Sequence, residues 1–226
     1  MKRFLWTFLL GLAAAPCSAA SKPHVVTFGK WSSVQWQTGV GDDQPLTLKI
    51  RALFVDGRLK EYTAGSPHEI TDRLFAVRRA FRVNDSLPEE PPSALRWQWQ
   101  RSGWLLVDRA TGRVSALNLP EFDALYSAAS WYRDYVAYCG VSDDGKKLFA
   151  VVAQVSRRKP VLKKPLTADG IAEDAPPDSA CAAPSWQRSP VQVSFAPPAG
   201  AKQTYAVRGH IVDVVVEEEP EAEGSQ

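Results

Sequence analysis

The side chains with the most chemical promise in this chain are its tryptophans. There are eight in 226 residues. The segment 95–100 (LRWQWQ) spaces Trp97 and Trp99 two positions apart, which on an extended strand puts both on one side. With Trp104 and Trp131 they offer flat apolar faces on which sugar rings can stack. The competing use of such rings is to fill a core, where each buries about 150–250 Å². Gln98 and Gln100 fall on the opposite face, as solvent-side residues would.

The other reactive types are sparse. His24, His68 and His210 show no metal-ligand spacing. There is no Gly-x-Ser-x-Gly elbow for a nucleophilic serine. Glycoside hydrolysis needs two carboxylates facing each other across a cleft. Asp108, Asp123 and Asp134 are available, but Asp108 and Asp134 sit beside turns, where aspartate caps backbone N–H groups. No catalytic residue, no metal and no cofactor is expected.

Of three cysteines, Cys17 lies in the leader and Cys139 and Cys181 remain. An even count in an oxidising compartment reads as one disulfide, Cys139–Cys181, which would tie a Pro/Ala-rich loop to a strand. Closing a loop of roughly 40 residues contributes about 4 kcal/mol in the chain-entropy model. Two separate buried thiols are the alternative.

The leader is residues 1–20. Lys2 and Arg3 precede the apolar run 4–15, and Ser18-Ala19-Ala20 supplies the small residues of a signal-peptidase site. Pro16 before Cys17 argues against a lipoprotein. No later run approaches the ~18 apolar residues of a spanning helix, so no transmembrane segment is expected after cleavage. The expected location is the periplasm or the cell exterior. Formal charge is +2, with five glutamates in the last ten residues. A mildly basic body with scattered cations gives no nucleic-acid footprint.

The elements that must position these residues read as strands. Asp56-Gly57 joins the runs 46–55 and 58–63, and Asp144-Gly145 lies between 135–141 and 147–155; Asp-Gly between β-rich runs is a strong hairpin signal. In the first arm Leu46, Leu48, Ile50, Ala52 and Phe54 alternate onto one face. Segment 24–38 predicts two short strands, the second carrying Val34 and Trp36 on one face. Segment 66–83 is ambiguous: Ser66-Pro67-His68-Glu69 could cap a helix, but the neighbouring strands favour a strand from Asp72. Segments 95–100 and 104–108 read as two strands around a turn at 101–103, followed by a strand at 114–119. Residues 165–190 read as a loop held by Cys181, followed by strands at 191–195 and 205–216. The tail 217–226 is expected to be disordered. The whole predicts an all-β fold of antiparallel hairpins in one domain, 21–216, as a small propeller-like or β-sandwich unit.

Residues 130–138 (SWYRDYVAY) followed by 142–148 (SDDGKKL) resemble one blade of the β-propeller repeats of exported bacterial proteins. Residues 104–117, with their 108–112 turn, look like the outer hairpin of a preceding blade. The resemblance covers about 60 residues and shows no clean period of about 40. It implies a rigid platform for partners. The expectation is therefore an exported, non-catalytic binding or scaffold protein of the cell envelope, with a protein partner. The alternative is a carbohydrate-binding or glycan-processing protein that uses a platform of Trp97, Trp99, Trp104 and Trp131.

Overall fold

The computed structural model describes residues 23–36, 45–84, 86, 91, 96–167, 170–172, 175–198, 200–208 and 211–214. The leader, the acidic tail and His210 lie outside the described residues. Those described form an all-β protein with no helix. Three sheets are present, of seven, four and four strands.

The first sheet holds β1 (Val26–Phe28), β2 (Ser32–Trp36), β3 (Leu46–Val55), β4 (Arg58–Glu69), β5 (Leu74–Asn84), β6 (Trp97–Asp108) and β7 (Arg113–Leu117). β1 and β2 pair with successive halves of one edge of β3, and β4 pairs with its other edge. β4, β5 and β6 continue as an antiparallel meander. At Trp36 the end of β2 meets Trp99 of β6 in a parallel bridge, closing β2 to β6 into a ring. Thus Trp36 and Trp99 lie side by side across that bridge.

Asp56 and Gly57 take φ values of 52° and 74°, and Val55 pairs with Arg58. That is the two-residue turn whose positive φ at both central positions suits Asp-Gly. His24 Nδ1 and the Val25 N–H bond the Asp56 carboxylate at 2.6 and 3.0 Å, tying the first strand to this turn.

Several local expectations need correction. The alternation of β3 does not hold throughout, because Leu48 and Ile50 are buried on one face but Leu53 and Val55 on the other. What changes along the strand is its cover: Leu48 and Ile50 pack with Trp36, Ala64 and Ala80, whereas Leu53 packs with Phe75, Val77 and Val107. Segments 95–100 and 104–108 are one strand, β6: Ser102 and Gly103 oppose the single residue Arg79, which is a bulge and not a turn. Finally, residues 165–190 are not one loop. β11 (Leu162–Thr167) runs through Pro165, and β12 (Ser185–Arg188) precedes the expected strand β13 (Val191–Phe195). β11 and β12 end their sheets, and only such edge positions tolerate a proline without its N–H or a mostly polar face. Segment 66–83 is strand apart from the turn at 70–73, so Ser66-Pro67-His68-Glu69 extends β4 and caps no helix.

The second sheet is a meander of β8 (Ala129–Tyr132), β9 (Tyr135–Val141), β10 (Leu148–Gln154) and β11. The third is β12, β13, β14 (Gln203–Arg208) and β15 (Ile211–Val214). The expected final strand is thus two strands. The second sheet is the middle layer. From it Ala137, Cys139, Val141, Ala150 and Val152 face Val193, Phe195, Tyr205 and Val207 of the third sheet. Val136, Tyr138, Val151 and Ala153 face the other way, onto Trp104, Leu117 and Phe122. Burial on both faces is why β9 and β10 read as unbroken apolar runs. Gly140 in β9 answers to close approach: a Cβ there would lie 2.8 Å from Glu121 Cβ and 2.9 Å from Val151 Cγ2.

The open end of the β5–β6 pair is held by charge. Arg73 forks onto Asp108, and Arg109 forks onto Glu69 at 2.7 and 2.8 Å. Arg73 first, then bonds from Thr111 and Ala110, hold the Asp108 carboxyl well below its ordinary range. A depressed folded value means stabilisation that is complete above the unfolded value of about 4 and lost as pH falls. Asp108→Asn should therefore lower stability at pH 7 and narrow its gap to the unsubstituted protein at pH 3. Urea unfolding at both pH values checks this; a gap that stays constant with pH would contradict it.

Candidate functional site

A cleft of about 660 Å³ opens where the closed part of the first sheet meets the turns that lead into and out of the middle sheet. β3 gives it Leu48 and Lys49, and β4 gives it Ala64, Gly65 and Ser66. Arg78 of β5 and both Arg101 and Trp104 of β6 form its inner wall. Ala128 and Ala129 close one side, and Asp178 and Ala183 of the disulfide-anchored loop the other. A second hollow of about 420 Å³ shares Lys49, Gly65 and Ser66 and ends on Trp31 and Ser33. The two therefore adjoin at those three residues.

The bulges build this cleft. The shift between Ala64 and His68 in β4 is accompanied by φ of +71° at Gly65, which a side chain rarely adopts. The bulge in β6 keeps Arg101 and Trp104 on the same side, beside Arg78.

The two arginines differ in their partners. Arg101 forks onto Asp178 at 2.8 and 2.9 Å and donates to the Leu125 carbonyl at 2.8 Å. Its guanidinium lies 4.8 Å from the Trp36 ring centroid. Arg78 is only 7% exposed and donates once, from Nη2 to the Ala124 carbonyl at 2.6 Å. Its Nε is buried without an acceptor. Among the described residues no carboxylate pairs with it; the nearest aromatic face is Phe122, at 4.7 Å. Desolvation first, and the neighbouring Arg101 charge second, push the Arg78 pKa down to about 9, against the pull of Asp178 and Asp123. Asp123 is occupied elsewhere, accepting the Leu125 and Tyr126 N–H bonds at 2.7 and 2.8 Å. With Lys49 at the rim, three cations and one carboxylate line the cleft. A buried charge without a partner is among the most expensive features a fold can hold.

The four sequence-selected tryptophans do not form one platform. Trp104 and Trp131 meet edge to face at 5.0 Å within the core between the first and second sheets, each with its indole N–H buried and unbonded. His68 stacks on Trp131 at 5.1 Å and bonds the Arg133 carbonyl through Nε2 at 2.7 Å. Trp99 is half-buried, edge-on to Tyr62 at 5.0 Å. Trp97 is 56% exposed, and the Arg82 guanidinium sits 5.6 and 5.5 Å from the Trp97 and Trp99 rings. Trp97 and Trp99 are thus together, as spaced. Trp104 alone of the four lines the cleft.

Cys139 and Cys181 are bonded to each other, with Cα atoms 5.9 Å apart, and both are buried between the second and third sheets. Asp134 accepts from Gln154 Nε2 at 2.7 Å, and neither it nor Asp108 nor Asp123 is among the residues that line the cleft. Arg78, Lys49 and Trp31 were missed from sequence. The signal was present for Arg78 alone: two arginines interrupt the otherwise apolar run FAVRRAF. No family model and no curated protein matches this chain.

Proposed function

We propose that this protein is an exported, non-catalytic binding module of the cell envelope that receives its partner in the cleft between the first sheet and the disulfide-anchored loop. The observation that carries this reading is Arg78, a buried cation facing a solvent-connected cleft with, among the described residues, one hydrogen bond and no acid partner. Such a group gains most when an external anion supplies what the fold withholds. Three layers packed through continuous cores make a rigid support, so little ordering accompanies binding. The disulfide suits an oxidising compartment, the periplasm or the cell exterior. Among the described residues no helix is long and apolar enough to cross a membrane.

Exposed Trp97 beside half-buried Trp99, with Arg82 between them, favours a second reading in which glycan stacks on that surface.

Affinity capture from cross-linked envelope, with the protein and its Arg78→Gln and Trp97→Ala variants run side by side, tests both. The first reading expects one component, protein or glycan, that Arg78→Gln loses and Trp97→Ala keeps. Loss with Trp97→Ala alone would transfer the site to the tryptophan surface. Equal recovery with all three would overturn both.

A further inference from the structure

We propose that the cleft and its adjoining hollow bind an acidic saccharide, a hexuronate unit seated with its carboxylate on Arg78 and Lys49 and its neighbouring sugar against Trp31. This rests on the cleft being the binding site.

Charge selects the anion. Arg78 retains donor capacity on its guanidinium, and Lys49 stands exposed at the junction of the two hollows with no acid paired to it among the described residues. A carboxylate accepts from both geometries, a fork from arginine and a point charge from lysine. Arg101 is not free for this role, since Asp178 already holds both of its terminal nitrogens.

Shape and the remaining groups select the saccharide. Two adjoining hollows of about 660 and about 420 Å³, sharing Lys49, Gly65 and Ser66, give room for consecutive sugar units. Trp31, at its far end, is 47% exposed. The Arg51 guanidinium lies 4.3 Å from that ring centroid and braces it. A braced, half-exposed indole presents the apolar surface on which the C–H face of a pyranose packs. Ser33 and Ser66 line the passage, each with a hydroxyl that both donates and accepts, as sugar hydroxyls require. A simple organic acid would satisfy Arg78 but would leave Trp31 and the second hollow unused.

Isothermal titration of the purified protein with a trigalacturonate, with its neutral trigalactoside counterpart and with succinate tests the proposal. The expected result is binding of the uronate trimer at least about tenfold tighter than of either control, weakening with added salt. Lys49→Glu and Trp31→Ala alter exposed side chains and should fold normally. Each should weaken uronate binding several-fold, with only Lys49→Glu reducing the salt dependence. Arg78→Gln should abolish binding. Equal affinity for the neutral trimer would overturn the acidic part. Binding of succinate as tightly as the uronate, unaffected by Trp31→Ala, would overturn the saccharide part while leaving the cleft as the site. No binding by any of the three would overturn the proposal, and the envelope capture would then decide separately whether the cleft binds anything.

Discussion

Cys139→Ser and Cys181→Ser, made separately, are each expected to lower the free energy of unfolding by about 4 kcal/mol, and by nearly equal amounts. The bond spans 42 residues, a long loop whose closure restricts the unfolded chain strongly. Both sulfurs lie in the core between the middle and third sheets, at 0% and 2% exposure, so either serine also buries a hydroxyl. For a chain of this size the midpoint should fall by roughly 10 °C. The same loop supplies Asp178 to the Arg101 pair and Ala183 to the cleft wall, so losing the tether also loosens the proposed binding site. Thermal unfolding with and without reductant makes the check. Reductant should bring the unsubstituted protein most of the way down to the variants and leave the variants unchanged. A protein indifferent to reductant, or two variants of clearly unequal stability, would contradict it.

Tyr138→Ala is expected to remove about 3–5 kcal/mol, the usual loss when a large buried aromatic is truncated. Tyr138 is fully buried in β9, on the face toward the first sheet, with Phe122 edge-on at 5.0 Å. Its hydroxyl donates to the Pro120 carbonyl at 2.6 Å, joining the middle sheet to the turn that follows β7. Tyr138→Phe keeps the ring but leaves that carbonyl without its donor, so a smaller loss of about 1–3 kcal/mol is expected. Burial, above all, raises the Tyr138 phenol above its ordinary value. A raised folded value contributes stability that is complete below about pH 10 and lost as pH climbs beyond it. The phenylalanine variant should therefore lose less stability than the parent between pH 9 and about 11. Urea denaturation across that range measures both effects. If Phe and Ala were equally damaging, the hydrogen bond and not the ring would dominate at this position.

Much of the local structure was legible. The Asp56-Gly57 turn could be placed because two consecutive positive φ values leave few residue choices, and β9 because a strand covered on both faces must be apolar throughout. The Cys139–Cys181 pair followed from counting. What misled was any place where one strand was not uniform along its length. β3 changes its buried face between Ile50 and Leu53, and Ser102-Gly103 imitates a turn inside a continuous strand. Edge strands such as β11 and β12 carry weak patterns because one of their sides has no partner.

The chain's own sequence therefore determined the class of the fold, its main hairpins and its cross-link, since turn conformation, alternation and cysteine number are properties of neighbouring residues. Only the tertiary structure decided which tryptophans serve the core and which meet solvent, because spacing along a strand gives a side but not what covers that side. It also decided the cleft. Lys49, Arg78, Arg101 and Asp178 come from four separate segments, and the bulges in β4 and β6 shape the wall on which they meet. No local pattern records that convergence, because the charge on Arg78 becomes unusual only once packing has removed its water.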